Sequence, residues 1–375
     1  MMHALIGLIV GAWLAGGQPP DSSRDVTVDQ LRTVMAEATH EPDAEIAHRI
    51  GSLHLTERMT AAGLEKIDDA LHPGPETREA LRLLTDSSAF LDPPPAEIPA
   101  RAAPSIAEQQ TMMNGAVHFV AVTQRRLPDF MATRTTYSFD DRPTPLLLKG
   151  WAQAGTMHDD GSFSQEITFR DGKEGVGAQQ AKSSSGGKVV MPSGLTSTGE
   201  FGTLQGVILR DMVHGKLAWS HWESTAAGVM AVFEYDVPEA QSHYEVDYCC
   251  VRSYDDSYSP PSGEGPNSYH GTPGYHGTLS IDPATGAIMR ITVTALLKNS
   301  DPITDGGVAI DYGQVTIEGD KSYICPVHSV AISVARSQIE GLYAPRAVRR
   351  INEVEFTNYH RLGATEQMLM PAASH

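Results

Sequence analysis

The stretch that decides the fold class is "SYHGTPGYHGTLSIDPATGAIMRITV", Ser268 to Val293. On both sides of "DPATG" the residues alternate between apolar and polar, which is the period of a β-strand. Pro283 favours the start of a tight turn, and Gly286 supplies the positive φ that closes it. The stretch therefore predicts an antiparallel β-hairpin, because a turn this short joins only antiparallel neighbours.

The same alternation continues through most of the chain after Leu127. The segments are separated by Gly, Pro, Asn and Asp, and no helical periodicity interrupts them. About ten strands without intervening helices predict a curved antiparallel sheet or an open half-barrel. Besides the hairpin strands, the segments are "FMATRTTYSF", "GSFSQEITFRDG", "GKLAWSHWES", "GVMAVFEYDV", "HYEVDYCCV", "GVAIDYGQVTI", "KSYICPVHSVAIS" and "RINEVEFTNYH".

The first part of the chain has helical periodicity instead. From Val26 to about Leu91 apolar residues recur at three- and four-residue spacing, and Pro75 before Glu76 marks a helix start. We therefore predict an α+β protein in which a helical N-terminal region precedes the sheet. Its parts are a helical region over 18–91, a Pro-rich linker over 92–105, a helix packing on the sheet over 106–126, an antiparallel β domain over 127–363 and a tail over 364–375.

The N-terminus has the pattern of a secretory signal peptide. Ala4 to Ala15 form an apolar run that has the length of a signal h-region and is too short to span a bilayer. Small residues at Ala15 and Gly17 predict cleavage after Gly17, and hence a signal peptide over residues 1–17. No later segment is apolar for long enough to cross a membrane. We expect an exported, periplasmic protein whose mature chain has no stable membrane span.

Charge and motifs narrow the function classes. The formal net charge is -18 at pH 7, so phosphate backbones and anionic membrane surfaces would repel the chain, and we expect no nucleic-acid partner. The sequence has no P-loop, no GxGxxG entering a helix and no HExxH. It therefore predicts no nucleotide or other cofactor.

The cysteines leave two pairings open. The chain has three, the adjacent pair Cys249 and Cys250 and the distant Cys325. In an oxidising compartment one of the pair bonds to Cys325, or the two neighbours form a strained vicinal disulfide. A zinc site on these thiols lacks the CxxC spacing.

Two histidines in the opening stretch are candidate metal ligands. The tetrapeptide Tyr-His-Gly-Thr occurs twice there and contains His270 and His276. Metal binding requires two imidazoles to converge with further ligands. On an extended strand they would lie roughly 20 Å apart, so only a tight loop would bring them together. We interpret the repeat as a duplication within a loop.

A second repeated pattern is Ser-His-Trp-Glu at 220–223 and Ser-His-Tyr-Glu at 242–245. Neighbours on a strand point to opposite faces, so we expect no contact between the side chains of Ser220 and His221. Alternation explains the pattern with the aromatic residue facing the core. A hydrolase that uses cross-strand Ser, His and Glu groups is the alternative hypothesis, with the catalytic candidates His221, His243 and His276.

A further histidine, His328, falls on the apolar face of its strand with Ile324 and Val330. An inward histidine is usually hydrogen-bonded within the structure, and we interpret His328 in this way. A role as a proton switch is the alternative.

The β-region motifs resemble a family of exported bacterial proteins of unknown function. They include "LPDFMATRTTYSFDD", "GKLAWSHWE", "SHYEVDYC" and "INEVEFTNYH", and the resemblance implies no activity. The "DPATG" hairpin followed by "YGQVTIEGDKSYICP" is similar to periplasmic lipoprotein carriers, the class that sorts outer-membrane lipoproteins. That resemblance implies an open half-barrel that holds acyl chains beneath helices in its concave face, and it carries over no binding residue.

Three hypotheses about function follow from these observations. The first is a non-enzymatic envelope protein that binds an apolar ligand, such as a lipid or a lipoprotein acyl chain, or a partner protein. The second is a structural or interaction module without a ligand, and the third is the hydrolase described above. A dry apolar cavity favours the first, the lack of a cavity favours the second, and a close cluster of His, Glu and Ser in a pocket favours the third.

Processing at the N-terminus is directly testable. Protein expressed with its own N-terminus and recovered from the periplasm is expected to begin at Gln18, because cleavage follows Gly17. Intact-mass measurement and N-terminal sequencing check this. A chain that keeps Met1 and stays in the cytosol would contradict the export prediction.

Overall fold

A computed structural model describes residues 25–123, 126–141, 157–176, 193–249, 268–319, 321–336 and 347–362. The predicted signal peptide over 1–17 and the predicted tail over 364–375 lie outside these ranges. The described helices are α1 (Val28–Glu37), α2 (Asp43–Ile50), α3 (Ala61–Leu71), α4 (Pro75–Ser87), α5 (Ile106–Thr123) and α6 (Thr203–Asp211).

The strands confirm most of the predicted segments, within a few residues at each end. They are β1 (Asp25–Val26), β2 (His54–Leu55), β3 (Phe130–Asp140), β4 (His158–Arg170), β5 (Lys173–Val176), β6 (Gly194–Leu195), β7 (Lys216–Thr225), β8 (Gly228–Val237), β9 (Val246–Cys249), β10 (Tyr269–Gly271), β11 (Gly274–Ile281), β12 (Ile288–Leu296), β13 (Ile303–Glu318), β14 (Lys321–Ala335) and β15 (Val348–Arg361).

Ten of these strands form one antiparallel sheet in the order β5-β4-β3-β15-β14-β13-β12-β11-β8-β7. The sheet is open, since β5 and β7 are its two edges. Helices precede strands along the chain, which confirms the predicted α+β class. The remaining strands form a small sheet of order β10-β9-β6 and the short parallel pair of β1 with β2.

Helices α1 to α4 form a unit with its own core, which we call the helical unit (25–98). Leu31, Ile50, Ile67 and Leu81 are almost fully buried in that core. Within the unit, α2 contacts the N-terminus of α4. The Asp43 carboxylate of α2 accepts hydrogen bonds from the first-turn backbone N–H groups of α4. Side chains that cap a helix N-terminus in this way satisfy donors that have no partner within the helix.

The two faces of the large sheet are covered by different parts of the chain. One face carries an apolar cluster that includes Phe233, Leu279 and Ile291, and it is covered by α5 and α6. The opposite face packs through Ala309, Val330, Ile332 and Ile351 against α4 and the residues that follow it. The sheet is therefore buried on both sides, with the helical unit on one side only.

Helix α6 corrects the prediction of a β region without intervening helices. It has only nine residues, and its buried side chains, Leu204, Ile208 and Leu209, have helical spacing. So short an amphipathic segment gives a weak periodic signal in the sequence. The helix forms because the apolar face of the sheet supplies the surface on which it packs.

The "DPATG" turn has the conformation that the sequence predicts, and it also positions α5. Gly286 has φ +76°, and its backbone N–H donates to the carbonyl of Asp282 at 2.8 Å. A Cβ atom at Gly286 would lie 2.5 Å from the backbone carbonyl of Gly115 in α5. The two glycines allow this close approach of helix and turn.

None of the described helices is both long enough and apolar enough to cross a bilayer.

The glycine contact gives a matched pair of variants. Gly286→Ala is expected to lower the free energy of unfolding by about 2 kcal/mol or more, because it adds left-handed backbone strain to a clash with Gly115. Gly115→Ala meets only an ordinary contact at 3.5 Å, and it is expected to change stability by less than about 1 kcal/mol in either direction. Urea denaturation measures both. Equal effects of the two variants would contradict this account of the turn.

Candidate functional site

A row of charged side chains crosses the face of the sheet that lies under the helical unit. The register pairs Glu355 of β15 with His328 of β14, His328 with Asp311 of β13, and Asp311 with Arg290 of β12. Directly opposite residues on neighbouring strands have Cβ atoms about 5 Å apart on the same face. The register therefore lines up four ionisable groups, with acidic and basic side chains alternating.

Helix α4 adds two more charged groups from above the sheet. Its Arg82 lies 2.8 Å through Nε from Glu353 Oε2, and its guanidinium lies over the ring of Tyr137. Asp86, one turn further along α4, is 1% exposed. Helix α4 therefore places one cation and one carboxylate in contact with the charged row.

His328 is the centre of the arrangement. Its Nε2 lies 3.4 Å from Asp86 Oδ1 and 3.4 Å from Glu353 Oε1, while Nδ1 lies 3.5 Å from Asp311 Oδ2. Asp311 also forms an ion pair with Arg290, which donates a second hydrogen bond to the carbonyl of Ala89 at 2.8 Å. Three carboxylates from three different elements therefore surround one imidazole.

These surroundings shift the pKa of each of three groups. Burial, opposed by the nearby imidazole, raises the pKa of Asp86 to about 7. Burial by itself disfavours the charged ring of His328, but the carboxylates of Asp311, Asp86 and Glu353 outweigh it and raise the pKa of His328 well above its ordinary value. Burial also disfavours the Asp311 carboxylate, but Arg290 and His328 lower its pKa below the usual range. The site thus stabilises a charged imidazole beside carboxylates that compete for it.

A second buried ion pair joins the helical unit to the edge strand β7. Arg58 donates to Glu223, and the two residues are 8% and 6% exposed. Burial and nearby Arg290 lower the pKa of Arg58. For Glu223, His221 and Arg58 outweigh burial and lower the pKa of the carboxyl. The helical unit is therefore held to the sheet by ion pairs at both ends of the charged row.

Two cavities lie between the helical unit and the sheet, and α4 separates them. The charged cavity, of about 510 Å³, is lined by the charged cluster and by apolar side chains that include Met59, Leu64 and Met230. We define that cluster as Arg58, Arg82, Asp86, Glu223, Arg290, Asp311, His328, Glu353 and Glu355. The apolar cavity, of about 580 Å³, is bounded by Leu53, Leu55, Ala80, Leu83, Leu84, Phe90, Leu91, Met157 and Ile332, with His54, Asp141, Asp305 and Arg349 as its charged or titratable members.

The expectation that Ser220 and His221 point to opposite faces is wrong. The pairing of β7 with β8 shifts register between Trp219 and His221, and a β-bulge of this kind brings consecutive side chains to one side. Ser220 Oγ consequently lies 3.0 Å from His221 Nδ1. The Ser220 hydroxyl donates to Glu234 at 2.7 Å. An activated nucleophile would direct that proton to the imidazole, so this geometry does not support a hydrolase triad.

The other catalytic candidates lie apart from that serine. The Ser-His-Tyr-Glu segment does not pair with β7, whose described partner is β8. His243 contacts Asp211 of α6 at 2.8 Å, and Tyr275 donates to the same carboxylate at 3.0 Å. His276 is exposed on β11 opposite Asp236 and Thr294. The three histidines thus belong to three separate environments.

The hypothesised metal pair is divided between two sheets. His270 lies on β10 of the small sheet, where it contacts Asp247 of β9, and both side chains are exposed. His276 lies on the large sheet. Among the described residues, the group whose ligand atoms all fall within 4.8 Å of one another is Asp86, His328 and Glu353 instead.

Cys325 does not form the disulfide bond that one of the two predicted pairings assigns to it. Cys325 is a free thiol on β14, and burial within an aromatic cluster raises its pKa to about 12. Cys249 is disulfide-bonded, and Cys250 lies outside the described residues.

The sequence pattern singles out His328 but not its partners. Glu353 and Glu355 alternate with Val354 and Phe356, so two carboxylates occupy one face of a strand whose other face is apolar. On α4, Asp86 comes three residues after the apolar Leu83, which is the spacing of neighbours on one helix face. The sequence signal for these partners is a carboxylate at a position where the periodic pattern predicts a buried side chain. Their convergence depends on the docking of α4, which no local pattern encodes.

The chain matches no protein-family model, no curated protein and no solved structure. The resemblance to lipoprotein carriers therefore stays a prediction.

The buried pair between Arg58 and Glu223 can be measured with a double-mutant cycle. Arg58→Met is expected to cost about 3–5 kcal/mol of stability, because it leaves the Glu223 carboxylate buried without its cation. The same substitution in a Glu223→Gln background is expected to cost clearly less. The exposed pair of Lys298 and Glu239 is the control, with no coupling expected beyond experimental error. Equal couplings for the two pairs would contradict the buried role of Arg58.

Proposed function

We propose that this chain is an exported binding protein that holds an amphiphilic small molecule in the apolar cavity between the helical unit and the sheet. The observation that carries the proposal is the apolar cavity itself, about 580 Å³ in volume. Ligand pockets commonly have about 300–1,000 Å³ and a largely apolar lining with a few polar groups. Export is the part of the proposal that rests on the signal-like N-terminus.

The location of the cavity also supports binding on this face. The opposite face is filled by side chains of the sheet, α5 and α6. The cavity described there, beside Phe201 and Tyr312, has a volume of about 10 Å³, which is about the space that one water requires. An acyl chain held between helices and sheet would therefore occupy the face covered by the helical unit.

The lining of the cavity suggests the chemistry of its ligand. Leu83 and Phe90 line it from the helical unit, and Ile332 lines it from the sheet. Arg349 and Asp305 supply charges of both signs. An apolar tail with a polar head group matches this division, since apolar surface leaves water while the head group keeps polar partners. We commit to a ligand of the fatty-acid type.

The way the helical unit is attached offers a route for entry. Its own core is separate from the smaller apolar cluster that joins Ala89 and Phe90 to the sheet. The other contacts between the two include the ion pairs of Arg58 and Arg82. Separating an ion pair costs less free energy than separating a continuous apolar interface, because water solvates the two charges that are released. Movement of the helical unit away from the sheet would expose the cavity.

Binding is tested with protein purified without detergent and a fluorescent fatty acid as the probe. Leu83→Trp is expected to fill the cavity and weaken binding at least about tenfold, equivalent to about 1.4 kcal/mol. Leu217→Trp, at an exposed position on the edge strand β7, is the control and is expected to bind like the unmodified protein. Native mass spectrometry of the same preparation is expected to show a lipid that is lost on denaturation.

Two outcomes would contradict the proposed binding of a fatty acid in the apolar cavity. If the unmodified protein carries no lipid and does not bind the probe, the interaction module without a ligand becomes the better hypothesis. If Leu83→Trp and Leu217→Trp bind equally well, the ligand lies outside the apolar cavity.

A further inference from the structure

The charged cluster contains more carboxylates than guanidinium groups. Five of its members are carboxylates and three are guanidinium groups, and His328 has to be neutral to bind a metal ion. The carboxylates then exceed the cations by two, which is the charge of one divalent ion. Buried charges are normally paired, since an unpaired one loses its hydration without compensation. The imbalance favours a further cation in the charged cavity.

Asp86 makes an ion pair with His328 but has no described hydrogen bond. It is 1% exposed, and neither of its oxygens accepts a hydrogen bond from the described residues. The Glu353 Oε2 atom also accepts none, because Arg82 meets it as an ion pair without hydrogen-bond alignment. The single proton on His328 Nε2 cannot serve both Asp86 and Glu353. Both oxygens of Asp86 and one oxygen of Glu353 are therefore buried without a described hydrogen bond.

The distance from His328 Nε2 to each carboxylate oxygen fits a tetrahedral metal ion, and all three ligand atoms lie within 4.8 Å of one another. Asp86 Oδ1 and Glu353 Oε1 each lie 3.4 Å from His328 Nε2. Two ligands bonded at about 2.1 Å to a tetrahedral ion lie about 3.4 Å apart. An octahedral ion with the same bond lengths would bring them to about 3.0 Å. Calcium and magnesium prefer oxygen ligands, whereas a set of one imidazole and two carboxylates suits zinc.

The surrounding residues match the supporting groups of a metal centre. A metal-binding histidine usually directs its other ring nitrogen to a carboxylate, which fixes the ring. Asp311 occupies that position, 3.5 Å from His328 Nδ1, and Arg290 holds Asp311. Arg82 holds the second oxygen of Glu353. Each of the two sheet ligands therefore already has an orienting partner.

We propose that Asp86, His328 and Glu353 bind one zinc ion, with its fourth coordination position open to the charged cavity. Three protein ligands and one open position are the arrangement of zinc sites that bind a further molecule. The site joins α4 to β14 and β15, so the ion would also fasten the helical unit to the sheet. This inference is independent of the proposed fatty-acid binding, which concerns the cavity on the other side of α4.

The test uses the full chain, freed of metal by a chelator, and titration calorimetry with Zn²⁺ alone. We expect one zinc per chain. Glu353→Gln is expected to weaken binding by more than about 100-fold, because even supporting residues of metal sites cost about 10–100-fold. The matched control is Glu355→Gln, the same change two residues along the same face, which is expected to keep the site. His270→Gln controls for the exposed pair with Asp247 and is also expected to bind normally.

Asp86→Asn keeps the test valid if Glu353→Gln fails to fold. Asp86 has no hydrogen-bond donor to lose, so this variant is expected to fold and to lose zinc binding to a similar extent. Replacement of zinc by Co²⁺ is expected to give the intense visible absorption of a tetrahedral ion. Zinc binding that survives Asp86→Asn, a loss confined to His270→Gln, or a metal-free unmodified protein at saturating Zn²⁺ would each overturn the proposal.

Discussion

The antiparallel register of β12 to β15 is the constraint on which the functional face depends. It places Arg290, Asp311, His328 and Glu355 at directly opposite positions on four neighbouring strands. A slip of one residue would turn these side chains to the face covered by α5 and α6. There they would meet an apolar cluster. Burial of the opposite, apolar face determines the register, and the register in turn determines the positions of the charged side chains.

Helix α4 connects the two halves of this face. Its helical period presents Leu83, Leu84 and Ser87 to the apolar cavity and Arg82, Thr85 and Asp86 to the charged one. Ala89 and Phe90, directly after the helix, pack on the sheet and set its position. A small change in the position of α4 would alter both cavities, because the helix is their common wall. Buried ionic clusters seldom stabilise a protein more than an apolar interface of the same size. Retention of one here is consistent with a role in binding.

Much of the architecture could be predicted from local patterns. The strand segments and the "DPATG" turn depend on alternation and on Gly286, and both signals are local. Helix α6 was missed because nine residues carry too little periodicity. The contact of Ser220 with His221 was excluded on the rule that strand neighbours point apart, and a bulge in β7 breaks that rule. Bulges depend on the partner strand, so the sequence of one strand does not reveal them.

The sequence by itself determined the α+β class, the order of the helical unit and the sheet, and the position of His328 on the same strand face as Val330. Periodicity and turn residues decide these properties through interactions between near neighbours in the chain. The sequence did not determine that Ile324 packs on the other face, because a register shift intervenes. Only the tertiary structure decided that Asp86 and Glu353 converge on His328. These residues are far apart in the sequence, and their meeting depends on strand register and on the docking of α4. Both are set by burial of apolar surface across the whole sheet, which no single segment encodes.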